Sequence, residues 1–443
     1  MRPRSLTLVL ALWALPALAQ DPPALRLSLK QAVDVALAPD GNARLQLVRE
    51  LARQASTRVA QARSALLPQV ESSLAQQSQT RNLAAFGIRI SLPIPGFQFP
   101  ERVGPFNTFD ARVTAAQSLF DLSALRRWQA SRAGRQAAQE ETDVACDQVA
   151  ALVAKLYLAA LVSAARIEAA RANLALAEAL ERLASNQKAA GTGTAIDVTR
   201  AKVQAANQRQ RVVAAGNERR RAHLELLKAM GLNLAAEVEL TERLAYAPLD
   251  AVTLEQARAA ALASRSDLQA QQSRETNARL LYSGTKWERL PTLAGFADYG
   301  SIGSSSHHAL PTRTYGLALK VPLFDGGRRD ARRAESASLL RQESIKTQDL
   351  RRQIELEVRL ALDTLRSAEE QVSVAEEGLQ LAADEVAQAE RRFRAGVSSS
   401  LEVTDAQTRL ERARENRIAA LFAYSAARID LGQAMGAVRR MIP

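Results

Sequence analysis

Residues 358–393 read VRLALDTLRSAEEQVSVAEEGLQLAADEVAQAERRF, and the spacing of their apolar residues decides the fold. Val358, Leu365, Val372, Leu379, Val386 and Phe393 fall seven apart, and each of the first five is followed three residues later by alanine, at Ala361, Ala368, Ala375, Ala382 and Ala389. A heptad with alanine at every d position gives a narrow seam along which helices approach closely. From Ser336 to Phe393 there is no proline and one glycine, Gly378. Counted from Asp330, the helix runs for roughly 64 residues, on the order of 95 Å at ~1.5 Å per residue. No soluble globular core buries such a helix, whereas a coiled coil or an oligomeric tube does.

The pattern restarts after Gly396, with Val403, Leu410, Arg417, Tyr424 and Leu431 alternating with Ala406, Ala413, Ala420, Ala427 and Ala434. A looser copy of this helical hairpin precedes it: Val153, Ile167 and Leu174 with Ala170 and Ala177, then Val198, Val212 and Leu226 with Ala201, Ala215, Ala222 and Ala229. The surroundings are duplicated too. Ala229-Met230-Gly231 recurs as Ala434-Met435-Gly436 at an offset of 205, and Leu119-Phe120-Asp121 as Leu323-Phe324-Asp325 at 204. Further upstream Leu29, Gln31, Ala32, Ala36 and Leu37 reappear as Leu254, Gln256, Ala257, Ala261 and Leu262 at 225. The first copy therefore carries an insertion of roughly 20 residues between Pro68 and Leu119, and the chain is two copies of one unit.

Each copy holds two candidate strands. Phe109, Ala111, Val113 and Ala115 alternate with polar residues, and Tyr315, Leu317, Leu319 and Val321 alternate with small or polar ones, over about the length that crosses a bilayer at a tilt. Their partners, Pro68–Gln77 and Thr292–Gly300, alternate less cleanly. The segments 84–107, rich in Pro, Gly and Phe, and 301–308, rich in Gly, Ser and His, read as external loops. Four strands are too few to close around a lumen, and an open edge is not tolerated in lipid. Either the strands lie in water or several chains pool them.

The composition agrees with thin seams: 47 % of residues are hydrophobic but 4 % aromatic. The net charge of +12 comes from basic residues interleaved with acids, as in Glu411-Arg412-Ala413-Arg414-Glu415, which reads as solvated helix faces and not as a nucleic-acid surface. Arg2 and Arg4 before the apolar run 6–15, with Ala17-Leu18-Ala19 ahead of Gln20, predict a secretory leader over 1–19. No later segment reads as apolar enough for a transmembrane helix, so a membrane crossing would use strands. The single cysteine, Cys146, is expected to be a buried small apolar residue. His307 and His308 sit together in a loop and His223 stands alone, which is no metal-ligand spacing. Gly191-Thr192-Gly193-Thr194 lacks the Gly-Lys-Ser/Thr of a phosphate loop. No enzyme activity, cofactor or metal is expected.

In this order and spacing, the chain resembles the TolC family of outer-membrane efflux and secretion channels. The resemblance spans the sequence after the leader. It rests on the duplicated helix–strand–strand–hairpin order, on Ser64–Leu67 followed by Pro68, and on Val321-Pro322-Leu323-Phe324-Asp325-Gly326-Gly327. It rests also on the two hairpin turns, Gly191 to Val198 and Gly396 to Val403. The resemblance implies a mixed α and β membrane protein. Each chain of a homotrimer would give four strands to a twelve-stranded barrel in outer-membrane lipid, continued by a periplasmic coiled-coil tube. The expected units are a first repeat, 20–235, with strands at about 68–80 and 108–119 and a hairpin at about 122–231. The second repeat is 236–443, with strands at about 291–300 and 313–322 and a hairpin at about 328–436.

The resemblance further implies that Glu402 and Asp405, with Asp197 of the first hairpin, form acidic rings at a periplasmic constriction, attracting cations into a narrow aqueous passage. The residues alone also allow an ordinary acidic helix start, favoured by the macrodipole. Gly191, Gly193 and Gly396 would be turns that contact a periplasmic adaptor, while helix capping accounts for such glycines by itself. The latch tyrosine and arginine of well-studied members align with Phe393 and Ser398, so that latch is absent here. Arg391 and Arg392 read as outward-facing.

The leading expected function is the passive exit duct of a tripartite efflux system, fed by an inner-membrane pump of RND or ABC type through a periplasmic adaptor. A duct for type I protein secretion is the alternative, and a periplasmic coiled-coil scaffold without a pore is the third.

Overall fold

The computed structural model describes residues 25–88, 100–250 and 252–441. The expected leader and residues 89–99 of the first external loop lie outside them. The first copy runs β1 (Leu25–Leu27), α1 (Leu29–Leu37), α2 (Ala43–Ser64), β2 (Gln69–Asn82), β3 (Arg102–Phe120), α3 (Leu122–Ala189) and α4 (Ala195–Met230). The second runs β4 (Val238–Leu240), α5 (Leu254–Ser264), α6 (Ser266–Trp287), β5 (Thr292–Gly303), β6 (Leu310–Lys320), α7 (Arg328–Arg394) and α8 (Ser400–Ala434), before a short α9 (Val438–Met441).

The repeated residues are those that start and stop these elements. Ser28 with Gln31, and Thr253 with Gln256, form matching capping boxes on α1 and α5. In the duplicated Leu-Phe-Asp motif, Asp121 accepts the Ala124 N–H at 2.9 Å and Asp325 accepts the Arg329 N–H at 3.1 Å, each at the head of a long helix. Gly231 and Gly436 end the return helices with φ of +75° and +66°. A Cβ on Gly231 would lie 2.4 Å from the Gly41 carbonyl oxygen, and one on Gly436 would lie 2.9 Å from the Arg265 nitrogen. Each return helix thus abuts the link of the short helix pair in its own copy, a site open only to glycine.

Along α7 most of the expected seam is buried, at Val358, Ala361, Ala368, Val372, Ala382, Val386, Ala389 and Phe393, while Leu365, Ala375 and Leu379 are half-buried. On α8, Val403, Ala406, Leu410, Ala420, Tyr424, Ala427, Leu431 and Ala434 face them. Near the middle of the molecule, Tyr157 of α3 is fully buried and donates to the Leu27 carbonyl at 3.0 Å, where β1 pairs parallel with β4.

Two sequence expectations need correction. The α3 helix does contain an 18-residue stretch of mean hydropathy 1.7, but 61 % of it is buried against the chain's own helices, so its apolarity is spent on packing. Cys146 is half-buried at the margin of that core, not enclosed in it.

The four long strands form one antiparallel sheet in the order β2-β3-β5-β6. Strand β3 begins at Arg102, ahead of the expected 108, and pairs with β2 out to Asn82. Residues 83–101 join β2 to β3, whereas 304–309 suffice between β5 and β6, which places the insertion of the first copy in this loop. Strands of 11 to 19 residues meet the length that a tilted bilayer crossing needs.

The register sorts the side chains into two faces. Val70, Leu74, Phe109, Val113, Ala297, Tyr299, Tyr315, Leu317 and Leu319 share one, interrupted by Ser72, Gln76, Gln117 and Ser301 and, toward the loop end, by Arg313. Glu71, Ser73, Asp110, Arg112, Thr114, Asp298 and Thr314 share the other. Leu74, Tyr315 and Leu317 are 74, 79 and 69 % exposed, so nothing in the chain covers the apolar face. A sheet wet on one face and apolar on the uncovered face fits a barrel wall between lumen and lipid.

Candidate functional site

The far ends of the two hairpins hold the residues singled out in the sequence. Helix α3 stops with Gly191 at φ +76°, while Thr192 and Gly193 donate their N–H groups to the Gln187 carbonyl at 2.9 and 3.0 Å. These bonds satisfy carbonyls that the helix end would otherwise leave open. A Cβ on Gly193 would lie 3.0 Å from that of Gln187, so the turn folds tightly back on the helix. The second turn repeats the device with Gly396 at φ +72° and Val397 donating to the Arg392 carbonyl at 3.0 Å. Neither Gly191 nor Gly396 has any atom near its missing Cβ. Their backbone angle, not crowding, calls for glycine.

Thr194 caps α4 by accepting the Asp197 N–H at 3.3 Å, and its hydroxyl donates back to the Asp197 carboxylate. The other carboxylate oxygen accepts from the Ser400 hydroxyl of the opposite hairpin. The Ser400 hydroxyl first, and the Thr194 hydroxyl next, hold the Asp197 carboxyl below the usual carboxylate range. The Gln187 amide donates to the Phe393 carbonyl at 3.3 Å, a second tie between the hairpins. Beneath these ties Phe393 is buried with Leu180, Ala184, Ala201, Val403 and Leu410. Where a latch tyrosine was expected to be missing, the ring fills a core between hairpins.

Glu402 and Asp405 lie one turn apart on the first turns of α8, on one side of the helix. Glu402 pairs with Arg392 at 3.2 Å. Arg392 is exposed, in line with its outward-facing reading, and also reaches across its own turn to the acid. Asp405 is exposed and enters no ion pair among the described residues. Ser398 keeps a buried hydroxyl without a hydrogen-bond partner. Among the described residues no group of three or more His, Cys, Asp or Glu is placed to hold a metal.

Ser400 and Gln187 escaped the sequence reading, and so did the pairing of Arg392 with Glu402. Ser400 stands in the run Ser398-Ser399-Ser400, which reads as turn, and its partner is 203 residues away in the chain. Only the duplication, which sets the two turns side by side, hinted at a contact there.

The family model of outer membrane efflux proteins matches residues 37–232 and 257–437. The chain belongs to this family. The two matched stretches fall on the two copies of the unit. Membership in the outer membrane efflux protein family places the sheet in the outer membrane, with the helical part in the periplasm. Among curated relatives, the alkaline protease secretion protein AprF of Pseudomonas aeruginosa is 26 % identical over 228 residues, 50 % of this chain and 47 % of AprF. The match thus spans about half the length of that relative. The fold is that of solved outer-membrane proteins. The CmeC channel of Campylobacter jejuni superposes with a TM-score of 0.79 at 16 % identity, over 98 % of this chain and 94 % of CmeC. VceC of Vibrio cholerae does so with a TM-score of 0.77 at 16 % identity, over 92 and 96 % of the two chains.

Proposed function

We propose that this protein is the outer-membrane exit duct of a tripartite efflux system, assembled as a homotrimer and passively releasing small molecules. The observation that carries the reading is the sheet: it is apolar and uncovered on one face, polar on the other, and open at both edges, β2 and β6. An open edge in lipid leaves backbone N–H and C=O groups unpaired at several kcal/mol each, so another copy must close it. The duplication says how. Strand β6 corresponds to β3 at the offset of 204, and β2 to β5 at 223. The β3–β5 pairing seen within the chain is then the template for β6 against β2 of the next chain. Phe120 opposite Leu293 becomes Phe324 opposite Val70, residues 89 and 66 % exposed in the single chain. These open edges and the uncovered apolar face speak against a pore-less scaffold.

An inner-membrane pump of RND or ABC type would deliver the substrate through a periplasmic adaptor seated on the turns at Gly191, Gly193 and Gly396. The match to AprF, a protease secretion protein, favours a second reading, in which the same duct serves type I protein secretion.

At the tip, Glu402, Asp405 and Asp197 of three chains would ring the constriction. Glu402 is already paired with Arg392, which leaves Asp405 as the freer charge. Glu402→Gln with Asp405→Asn should lower the cation preference of the channel in planar bilayers, and Arg392→Gln should raise it. Both effects should shrink in 1 M salt, where the Debye length is ~3 Å. Arg391, exposed and outside any ion pair among the described residues, serves as the control. Unchanged selectivity in the double acid variant, with normal assembly, would place the constriction elsewhere.

The tie from Ser400 to Asp197 would help hold the tip closed. Ser400→Ala should raise single-channel conductance and let the Asp197 carboxyl return toward its ordinary range. Because that carboxyl is depressed in the folded chain, the tie is fully present above the ordinary value near 3.8 and is lost as pH falls through the folded value. Wild-type conductance should therefore stay flat from neutral pH down to about 5 as far as Asp197 is concerned. A rise in that window would assign the gate to another group.

A further inference from the structure

The polar face of the sheet carries a charged group with no assigned role. Arg112 of β3 donates through Nε to Asp110 Oδ1 at 2.8 Å and through Nη2 to Oδ2 at 2.6 Å. Its Nη1 lies 3.6 Å from Asp298 of β5. The three side chains keep 30, 27 and 17 % of their surface exposed, all on the face opposite the apolar one. The backbone leaves room for the arginine: Gly300 is its cross-strand neighbour, and a Cβ there would stand 2.5 Å from that of Arg112. Asp110 takes the two-pronged hydrogen bond, whereas Asp298 has one ion-pair contact, at a distance where attraction is weaker. One cation against two carboxylates leaves this three-residue group a net charge of −1 in each chain.

From this geometry we infer that Asp110, Arg112 and Asp298 form a second selectivity girdle, within the barrel and remote from the periplasmic tips, that favours cationic permeants. The inference rests on the trimeric-pore reading, since only a closed barrel turns this face into a lumen. Three chains place three arginines and six carboxylates around one passage, a net negative ring in a narrow aqueous pore. The Arg112 guanidinium also clamps β3 of the first copy to β5 of the second, so it fixes where the two acids stand.

The test is the reversal potential of single trimers under a KCl gradient at 0.1 M, where the Debye length is ~10 Å. Asp298→Asn takes the net charge of the group in each chain from −1 to zero and should lower K⁺ over Cl⁻ selectivity. Arg112→Gln takes it to −2 and should shift selectivity the opposite way, toward K⁺. Opposite signs separate a charge effect from structural damage, which would push both variants the same way. A third variant, Asp110→Asn, should follow Asp298→Asn, with detergent-resistant trimers on gels confirming assembly. If wild type conducts but the variants leave selectivity unchanged, or move it in one direction, the girdle is refuted while the pore stands. If the wild-type trimer does not conduct, the pore reading falls and the girdle with it.

Discussion

Leu317→Arg should abolish stable insertion into the outer membrane. Leu317 lies on the apolar face of β6, away from the strand ends, and is 69 % exposed in the single chain. A tilted strand of 11 residues spans the hydrocarbon layer, so position 317 sits well inside it. An arginine facing lipid near the midplane costs about 2–4 kcal/mol, and a symmetric barrel would carry one in every chain. Folded domains are stable by only about 5–15 kcal/mol in total. Membrane fractionation should find the variant aggregated or degraded, with no heat-modifiable trimer. Thr314→Arg, on the opposite face in the same strand, should insert normally, because that face would meet water. If both variants insert equally well, the assignment of faces is wrong.

Phe393→Ala should loosen the tips without disturbing the barrel. Phe393 is 5 % exposed and packs with residues of both hairpins. Truncating a buried phenylalanine costs about 3–5 kcal/mol, here inside the apolar cluster that joins the two hairpins. The turns that flank it are bridged by the Gln187 hydrogen bond, worth about 1 kcal/mol net, and by the Ser400 bond to a carboxylate, worth about 1.5–3 kcal/mol. The core therefore contributes about as much as both polar ties together. Limited proteolysis should cut the variant near residues 190–200 and 395–402 at concentrations that leave wild type intact, and bilayer conductance should rise. Phe393→Leu, which keeps most of the volume, should behave nearly as wild type. Equal protease resistance in Phe393→Ala would show that packing between hairpins is not what holds the tip.

The fold was legible in the sequence wherever periodicity and repetition carried it. The seven-residue spacing from Val358 to Phe393 names the buried face of α7, because a narrow apolar stripe on so long a helix has one way to be covered. The recurrence of Leu119-Phe120-Asp121 marks the strand-to-helix joints, where the aspartate accepts a backbone N–H of the helix's first turn in both copies. The apolar run in α3 went unnoticed: periodicity fades when a helix is packed on several sides, and mean hydropathy does not tell a buried helix from a lipid-facing one.

The tip was legible only in part. Acids at 197, 402 and 405 stand out as charged helix starts, yet their partners, Ser400 and Arg392, are set by how two turns lie together. No local pattern encodes that. The same holds for Arg112 and Asp298, which meet through strand pairing across 186 positions of sequence. Gly300 was a trace of that contact, since a glycine inside a strand signals close approach.

The central claim, that copies of this chain close one barrel through β6 and β2, is tested most directly by a disulfide across the predicted seam. The internal pair Ala115–Ala297 maps by the duplication onto Leu319 of one chain and Leu74 of the next. Antiparallel partners stand about 4.5–5.5 Å apart at Cα, within the range a disulfide spans. Leu74→Cys with Leu319→Cys, in a Cys146→Ser background, should give covalent dimers and trimers on non-reducing gels after mild oxidation in outer membranes. The register-shifted pair Leu74→Cys with Leu317→Cys should give far less, because diagonal neighbours stand about 7–8 Å apart. Absence of crosslinks from membrane-inserted protein, or crosslinks in the shifted pair alone, would contradict the shared barrel built on this register.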